Sequence, residues 1–310
     1  MNTTRNYDAK DDEIDLLDLF KIVFDGKWVI VCFTSFFLIA SAIYSLSLPN
    51  IYKSVALLAP VEVNDFQISN EVSGLASIAG IKSPFNSTES NLLKAIEKLS
   101  SLSFFEYNLM PNIFLPNLMA VRSWDSKKQK IIYDDSLYDE SLGSWIRDFS
   151  YPQKQIPSAQ ESFEQFKKKH LTISQDKKTG FVTLTISHQS PVIAAEWAEL
   201  VINEINLLFR EKDKMKSEKA SIFLNKQMLN TSVAQVKQAI AQLLQKETQK
   251  LTLIEANDFY VFEFIDPPSI REKKAEPNRL FICLIGAVLG LILGVASVLI
   301  KHFRSDRKLN

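Results

Sequence analysis

The sequence predicts an α+β membrane protein in which two transmembrane helices flank one large domain of strands and helices. Two uncharged apolar stretches of membrane-spanning length, residues 28–48 and 280–300, lie near the two ends of the chain. Between them, short β-rich runs precede a helical stretch, residues 191–256, that contains no glycine and whose only proline is its first residue. Two such anchors would hold the residues between them as one tethered domain.

The second apolar stretch, residues 280–300, has the composition of a transmembrane helix. It contains fourteen Leu, Ile, Val and Phe residues and no charge, and as a helix it would be about 30 Å long. Gly286, Gly290 and Gly294 recur every fourth residue and therefore lie on one helix face. We expect helix–helix packing in the membrane at this face, because small residues allow close approach; the alternative is that glycine is simply common in membrane helices.

The first apolar stretch, residues 28–48, is predicted to be a retained anchor. Residues 1–27 before it are polar and carry seven Asp and Glu against four Lys and Arg. A cleaved signal peptide, the alternative favoured by Ala40 and Ala42, ordinarily has a short basic leader and a shorter apolar region. Apolar residues at helical spacing over residues 14–24 predict a short amphipathic helix on the membrane surface.

The charges that flank the two spans predict the orientation of the chain. Lys21 and Lys27 precede the first span, and the tail at residues 301–310 is basic. Basic flanks favour the cytoplasm, so we expect residues 1–27 and 301–310 to be cytoplasmic and residues 49–279 to form an extracytoplasmic domain. Basic residues also precede the second span, at 271–279, but long loops cross the membrane largely regardless of charge.

The first part of this domain is predicted to mix strands, helices and loops. A strand over residues 52–61 precedes a loop of small residues, 73–87, and a helix over residues 89–109. Residues 111–157 are irregular, and Trp124 and Trp145 are expected to anchor a small core or, less commonly, to grip a sugar. Three later elements have stronger local signals: a helix capped by Ser158 and Glu161, a hairpin of residues 171–174 and 181–187, and a helix capped by Ser190.

The helical stretch 191–256 contains the spacing of a coiled-coil seam, formed by Leu229, Val233, Val236, Ile240 and Leu243. Residues 259–265, apolar on both faces, predict a central strand. If that strand joins the hairpin's sheet, the helical stretch must be an up-and-down pair that reverses at 211–219 or 230–232; otherwise it is one rod of about 100 Å. Pro267, Pro268 and Pro277 then form a stiff segment before the second span.

Composition and motifs exclude several classes of function. Lys and Arg balance Asp and Glu at 36 each, so no basic excess predicts nucleic-acid binding. Cys32 and Cys283, the only cysteines, lie in apolar stretches, and the chain has no phosphate-binding loop or nucleophile elbow. We therefore predict no catalytic, cofactor-binding or metal-ligating residues. An acidic cluster is expected to be a solvated loop rather than a glycosidase pair: Asp134, Asp135, Asp139 and Glu140.

Several segments, in their order along the chain, resemble the Wzz-type O-antigen chain length determinants, a family of bacterial polysaccharide co-polymerases. The segments are IDLLDLF (14–20), IYKSVALLAP (51–60), SGLASIAGI (73–81), SPVIAAEWAELVINEIN (190–206), FIDPPS (264–269) and EPNR (276–279). The dipeptide Pro267-Pro268 is the most specific part of this resemblance.

The resemblance implies an α/β base near the inner membrane, a coiled-coil-like helical trunk in the periplasm, and homo-oligomers. It also implies that the protein acts with a membrane O-antigen polymerase and its lipid-linked polysaccharide to set polysaccharide length, as a non-enzymatic scaffold in the lipid bilayer. Two alternatives are an export adaptor for capsule or exopolysaccharide that works with a separate kinase, and a two-span signalling sensor.

Overall fold

The structure, a computed structural model, describes residues 16–61 and 88–306. They form two compact units, one made of the residues up to Pro49 and from Glu276 onward, the other of Asn50–Ala275. Three predicted features lie wholly or partly outside the described residues: the start of the amphipathic helix, the loop of small residues and the end of the basic tail.

Helices and strands alternate along the described ranges, with the longest helices at the two ends of the chain and after the hairpin. The α-helices are α1 (Leu16–Asp25), α2 (Lys27–Ser47), α3 (Thr88–Leu99), α4 (Leu102–Phe104), α5 (Leu115–Met119), α6 (Ala159–Gln165), α7 (Pro191–Asn230), α8 (Ala234–Ala256) and α9 (Arg279–Asp306). The strands are β1 (Tyr52–Pro60), β2 (Val121–Asp125), β3 (Lys130–Tyr133), β4 (Tyr138–Asp139), β5 (Ser144–Trp145), β6 (Leu171–Gln175), β7 (Val182–His188) and β8 (Phe262–Asp266). Helix α4 continues as a π-helical turn, Phe105–Leu109, and α6 as another, Phe166–His170.

The first unit consists of α1, α2 and α9. Both α2 and the Arg279–His302 part of α9 are long and apolar enough to cross a membrane. The two helices pack against each other along their lengths in antiparallel orientation. Their ranges contain almost all of the two predicted spans, and α9 continues six residues past residue 300.

The second unit is built on a four-stranded antiparallel sheet with the strand order β6-β7-β1-β8. The predicted hairpin forms its β6–β7 part, with Leu171 opposite Ile186. Strand β1 pairs with β7 on one side, where Tyr52 lies opposite His188, and with β8 on the other. The chain thus returns to the same sheet after the helical stretch.

The prediction of a central strand at residues 259–265 is wrong in position and length. Strand β8 begins only at Phe262 and lies at the edge of the sheet, paired with β1 alone among the described strands. Phe262 is buried, whereas Glu263 and Ile265 are exposed. An apolar run predicts a strand with buried side chains, but it does not show whether the strand lies at the centre or at the edge of the sheet.

The N-terminal half of α7 covers one face of the sheet and forms the main core. Ser190 caps this helix, as predicted, by accepting a hydrogen bond from the backbone N–H of Ile193 at 3.5 Å. Buried side chains recur along the helix at intervals of three and four residues, and they pack against the inward-facing residues of β1 and β7. Burial of this stripe anchors a helix whose C-terminal half contributes little to the core.

The helical stretch is an up-and-down pair, and a single rod is excluded. Helix α7 has 40 residues and is about 60 Å long. The chain reverses at 231–233, close to one of the two predicted positions, and the 23-residue α8 runs back along α7. Lys214 Nζ lies 2.5 Å from Glu255 Oε1, which brings the end of α8 beside the middle of α7.

Only part of the predicted coiled-coil seam packs within the chain. Ile240 is buried, but Leu229 is 86% exposed and Val233 and Val236 are also exposed. Leu229 lies in α7 and Val233 in the reversal, so a break close to the predicted option 230–232 divides the seam. The free end of the helix pair therefore carries unpaired apolar side chains.

A buried amide joins α7 to the returning chain. Asn206 Oδ1 accepts hydrogen bonds from the backbone N–H groups of Val261 at 2.8 Å and Phe262 at 2.9 Å, with a longer one from Tyr260 at 3.4 Å. Asn206 Nδ2 donates to the carbonyl of Phe262 at 2.9 Å. One side chain thus satisfies both backbone groups of the residue that begins β8.

The region between α3 and α6 is more ordered than predicted. The predicted helix at 89–109 is interrupted after Leu99, where Ser101 caps α4 by accepting from Phe104 N at 3.3 Å. The predicted irregular region contains α5 and two short hairpins, β2–β3 and β4–β5. Trp124 packs on the main core, and Trp145 packs edge-on against Tyr138 with ring centroids 5.4 Å apart.

Candidate functional site

The three glycines of the second apolar helix lie against the first apolar helix of the same chain. A Cβ atom placed on Gly290 would lie 2.8 Å from Thr34 Cα, and one on Gly294 would lie 2.9 Å from Ile30 Cα. A Cβ on Gly286 would meet Ser41. All three positions lie too close to α2 to hold a larger side chain, so the two backbones approach closely only because these residues are glycine.

A fourth glycine completes this contact and was not predicted. Gly26, between α1 and α2, faces Val298 so closely that a Cβ atom would collide with its methyl groups. The four contacts follow the antiparallel direction, from Gly26 with Val298 to Ser41 with Gly286. Gly26 precedes a charged residue rather than lying in the apolar stretch, so its spacing alone provided no signal.

Thr34 and Ser41, the two polar residues of α2 at the glycine contacts, form hydrogen bonds within their own helix. Thr34 Oγ1 donates to the Ile30 carbonyl at 2.8 Å, and Ser41 Oγ donates to the Leu38 carbonyl at 2.9 Å. The spacing of the glycines leaves open which helix their face meets. In the structure, α2 of the same chain occupies that face.

The prolines of the predicted stiff segment lie in two different places. Pro267 and Pro268 directly follow β8, in a stretch where the Ser269 carbonyl accepts a hydrogen bond from Ser54 Oγ at 3.0 Å. Pro277 lies in the other unit, two residues before α9. Asn278, which follows it, accepts a hydrogen bond from Phe281 N at 3.3 Å and so caps α9.

Two histidines that the sequence places in different segments meet in the core. The rings of His170 and His188 are 5.5 Å apart, and both lie edge-on to Trp197, at 5.6 and 5.0 Å. Burial lowers the pKa of His188 to about 4. Burial and the neighbouring His188 lower the pKa of His170 to about 3, so both rings are neutral at pH 7.

Backbone groups fix the tautomers of these rings. Ser190 N donates to His188 Nδ1 at 2.9 Å, so Nε2–H donates to the Asn117 carbonyl, also at 2.9 Å. His170 Nδ1–H donates to the Ser187 carbonyl at 2.7 Å. These contacts tie the start of α7 to β7 and α5, which is a structural role.

The acidic cluster consists of turn-forming side chains. Asp134 Oδ1 accepts from Ser136 N at 3.0 Å and from its hydroxyl at 2.7 Å. Asp139 Oδ1 does the same with Ser141, at 2.8 and 2.6 Å. These hydrogen bonds lower the pKa of both carboxyl groups, whereas a general acid needs a raised one. The local hydrogen bonds and the lowered pKa values of Asp134 and Asp139 fit turn-forming residues rather than the acid of a glycosidase pair.

The described residues thus define a class of protein: a mixed helix and strand protein with two candidate transmembrane helices. Within residues 16–61 and 88–306, no three His, Cys, Asp or Glu side chains group as metal ligands. Residues 12–103 match the family model Wzz, chain length determinant protein. The resemblance drawn from the sequence is confirmed over this segment.

Other comparisons give less. A solved full-length bacterial polysaccharide co-polymerase is similar with 15% identity and a TM-score of 0.42, over 94% of this chain and 99% of that chain. No curated protein matches the sequence.

Proposed function

We propose that the protein is a non-enzymatic, oligomeric scaffold of the inner membrane that regulates the chain length of O-antigen or of a related surface polysaccharide. The observation that carries this proposal is the match of residues 12–103 to the chain length determinant family. The polymerase, a separate membrane protein, would perform the chemistry. The scaffold would hold the polymerase and its lipid-linked polysaccharide together for a limited number of additions.

In this proposal α2 and α9 together form the membrane anchor. Residues 28–48 and 280–300 span the bilayer, residues 1–27 and 301–310 are cytoplasmic, and residues 49–279 are periplasmic. The glycine contacts support it, because lipid provides no hydrophobic drive for helix association and close backbone packing replaces it. Pro267, Pro268 and Pro277 would limit how freely the chain bends before the second span.

The proposed homo-oligomer would form partly through the free end of the α7–α8 pair. Leu229, Val236 and Phe223 are exposed there at 86%, 44% and 58%. Contact with the same region of a neighbouring protomer would remove these side chains from water, at about 25 cal/mol per Å² of apolar surface.

Crosslinking in membranes tests this contact. We expect Leu229→Ser to reduce oligomeric species, because it removes the most exposed apolar side chain of the group. Lys226→Ser, a change at an exposed polar position one turn earlier in α7, is the matched control and should leave the oligomers unchanged. Equal oligomer yields for the two variants would place the protomer contact elsewhere.

The function is tested by deleting the gene and separating the surface polysaccharide on gels. We expect the deletion to change the length distribution, and the wild-type gene to restore it. An unchanged distribution in the deletion strain would reject the proposed function. Reporter fusions at residues 150 and 305 test the orientation, with a periplasmic signal expected only from the first.

A further inference from the structure

A cavity of about 410 Å³ lies in the second unit, between the β2–β3 hairpin and the first turns of α7. Its volume is within the range of small-molecule binding sites. The lining comes from two parts of the chain: residues 117–140, which include α5 and the β2–β3 hairpin, and residues 190–196 at the start of α7. None of the described lining residues belongs to α2, to α9 or to the free end of α7 and α8.

Two aromatic side chains form part of the cavity wall and are held in place. Trp124 is half-buried, with part of its surface against the core. Tyr133 packs edge-on against Tyr138 at 5.5 Å, and its hydroxyl donates to Asn117 Oδ1 at 2.7 Å. Fixed aromatic rings provide flat apolar surface with little loss of conformational entropy on binding.

The rest of the lining is rich in hydrogen-bonding groups. Asn117 lines the cavity and has two amide N–H groups besides the oxygen that Tyr133 uses. Gln129, Glu140 and Glu196 add an amide and two carboxylates. Aromatic faces combined with amides and carboxylates suit a ligand that has both C–H faces and many hydroxyl groups, which is the chemistry of a sugar ring.

The charges of the lining favour a neutral ligand. Lys130, the single cation among the described lining residues, lies 2.8 Å from Glu140 and is paired with it. Glu196 is then a second carboxylate, and no further cation of the described lining balances it. An acidic sugar would meet this excess negative charge, whereas hydroxyl groups would donate hydrogen bonds to it.

We propose that the cavity bounded by Trp124, Tyr133, Gln129 and Glu196 is a binding subsite for a short, neutral segment of glycan. The proposal rests on the proposed function, since it supplies a place where the scaffold contacts the polysaccharide itself. The hairpin turn contributes Gln129, which has a positive φ of 49°. Glycine is at home in that conformation, so this side chain can be removed without straining the turn.

The test uses the purified full chain in detergent and oligosaccharides of a few repeating units, prepared from the surface polysaccharide of the source strain. Binding is measured by titration calorimetry and by tryptophan fluorescence. We expect Gln129→Gly and Glu196→Ala each to raise the Kd about threefold to tenfold, the effect of losing one hydrogen bond. Glu199→Ala, at an exposed position one turn along α7 that does not line the cavity, should bind like wild type.

Trp124→Phe tests whether the oligosaccharide binds at this cavity. It should abolish the fluorescence change, because Trp28, Trp145 and Trp197 do not line the cavity, while calorimetry still detects weaker binding. Absence of oligosaccharide binding by the wild type, or equal effects of Glu196→Ala and Glu199→Ala, would overturn the subsite. Neither result affects the proposed function, which the polysaccharide gel of the deletion strain decides independently.

Discussion

Replacing Asn206 should destabilise the second unit more than any other single polar substitution in α7. In Asn206→Leu, the N–H groups of Val261 and Phe262 and the carbonyl of Phe262 lose their partner while staying buried. Each such group destabilises the folded state by about 1–3 kcal/mol. Asn257 and Asp258, just before these groups, are exposed, so water from the surface would partly replace the lost partner. We therefore expect a loss of about 4 kcal/mol in the free energy of unfolding, near the lower end of the sum.

This loss is measurable by urea unfolding of the purified protein in detergent. With a slope of about 2 kcal/mol per M, the midpoint should fall by about 2 M. Hydrogen exchange gives a local measurement, and amide protection should decrease first at Val261 and Phe262. Asn203→Leu, on an exposed position of the same helix, is the matched control and should shift the midpoint little.

Asn206→Asp distinguishes the donor from the acceptor. A carboxylate still accepts from the two N–H groups but does not donate to the Phe262 carbonyl, whereas a protonated carboxyl restores that donor. Its deficit relative to wild type at the same pH should therefore shrink on acidification. A deficit for Asn206→Leu below about 1 kcal/mol, or equal to that of Asn203→Leu, would refute the reasoning.

Three further predictions concern other contacts. Gly290→Leu should widen the gap between α2 and α9 by on the order of 2 Å, because glycine contacts permit less than the usual 8–10 Å between helix axes; spin labels on Cys32 and Cys283 measure it. The neutral pair His170 and His188 should make the unit less stable as pH falls from 6.5 to 5. Both pKa values lie below that of a histidine in the unfolded chain, so only the unfolded state gains protons in this range. Urea unfolding should show a loss of about 2 kcal/mol in the free energy of unfolding for each ring. Arg147→Lys should destabilise the fold by about 2 kcal/mol and increase hydrogen exchange at residues 150–157. Lysine cannot form the paired hydrogen bonds that Arg147 donates to Glu161, nor the hydrogen bond that it donates to the Gln155 carbonyl at 2.9 Å.

Each of these predictions has a control. Val288→Leu, on an exposed face of α9, should leave the label distance unchanged, and an equal distance in Gly290→Leu would contradict the close-packing account. A variant with glutamine at both histidine positions should show a flatter stability profile between pH 6.5 and 5. Arg147→Ala should lose about as much stability as Arg147→Lys; full stability of the lysine variant would contradict the requirement for the guanidinium.

Local signals predicted the elements that depend on neighbours in sequence. The apolar lengths of both spans, the Ser190 cap with Pro191 and the hairpin around residues 176–180 needed no information from elsewhere in the chain. Features that depend on distant residues were missed. His170 and His188 meet because two strands pair, and Asn206 bonds a strand more than fifty residues later.

The glycine face and the coiled-coil seam both show what residue spacing does not predict. The spacing of Gly286, Gly290 and Gly294 correctly places all three on one face, but spacing does not name the helix that occupies it. The spacing of Leu229 to Leu243 makes one seam only in an unbroken helix, and the reversal at 231–233 divides it. The cavity beside Trp124 forms only where residues 117–140 meet the start of α7, so the sequence singled out Trp124, Glu140 and Ser190 without bringing them together.

Helix α7 belongs at once to the core, through residues such as Trp197 and Ile202, and to the free end, through Leu229, with no break in 40 residues. A continuous helix of this length acts as a lever, because a sideways push on its outer end is delivered as torque at the sheet. A molecule that binds the far end of α7 would therefore transmit force to the sheet, and a change in the environment of the Trp197 indole would report it.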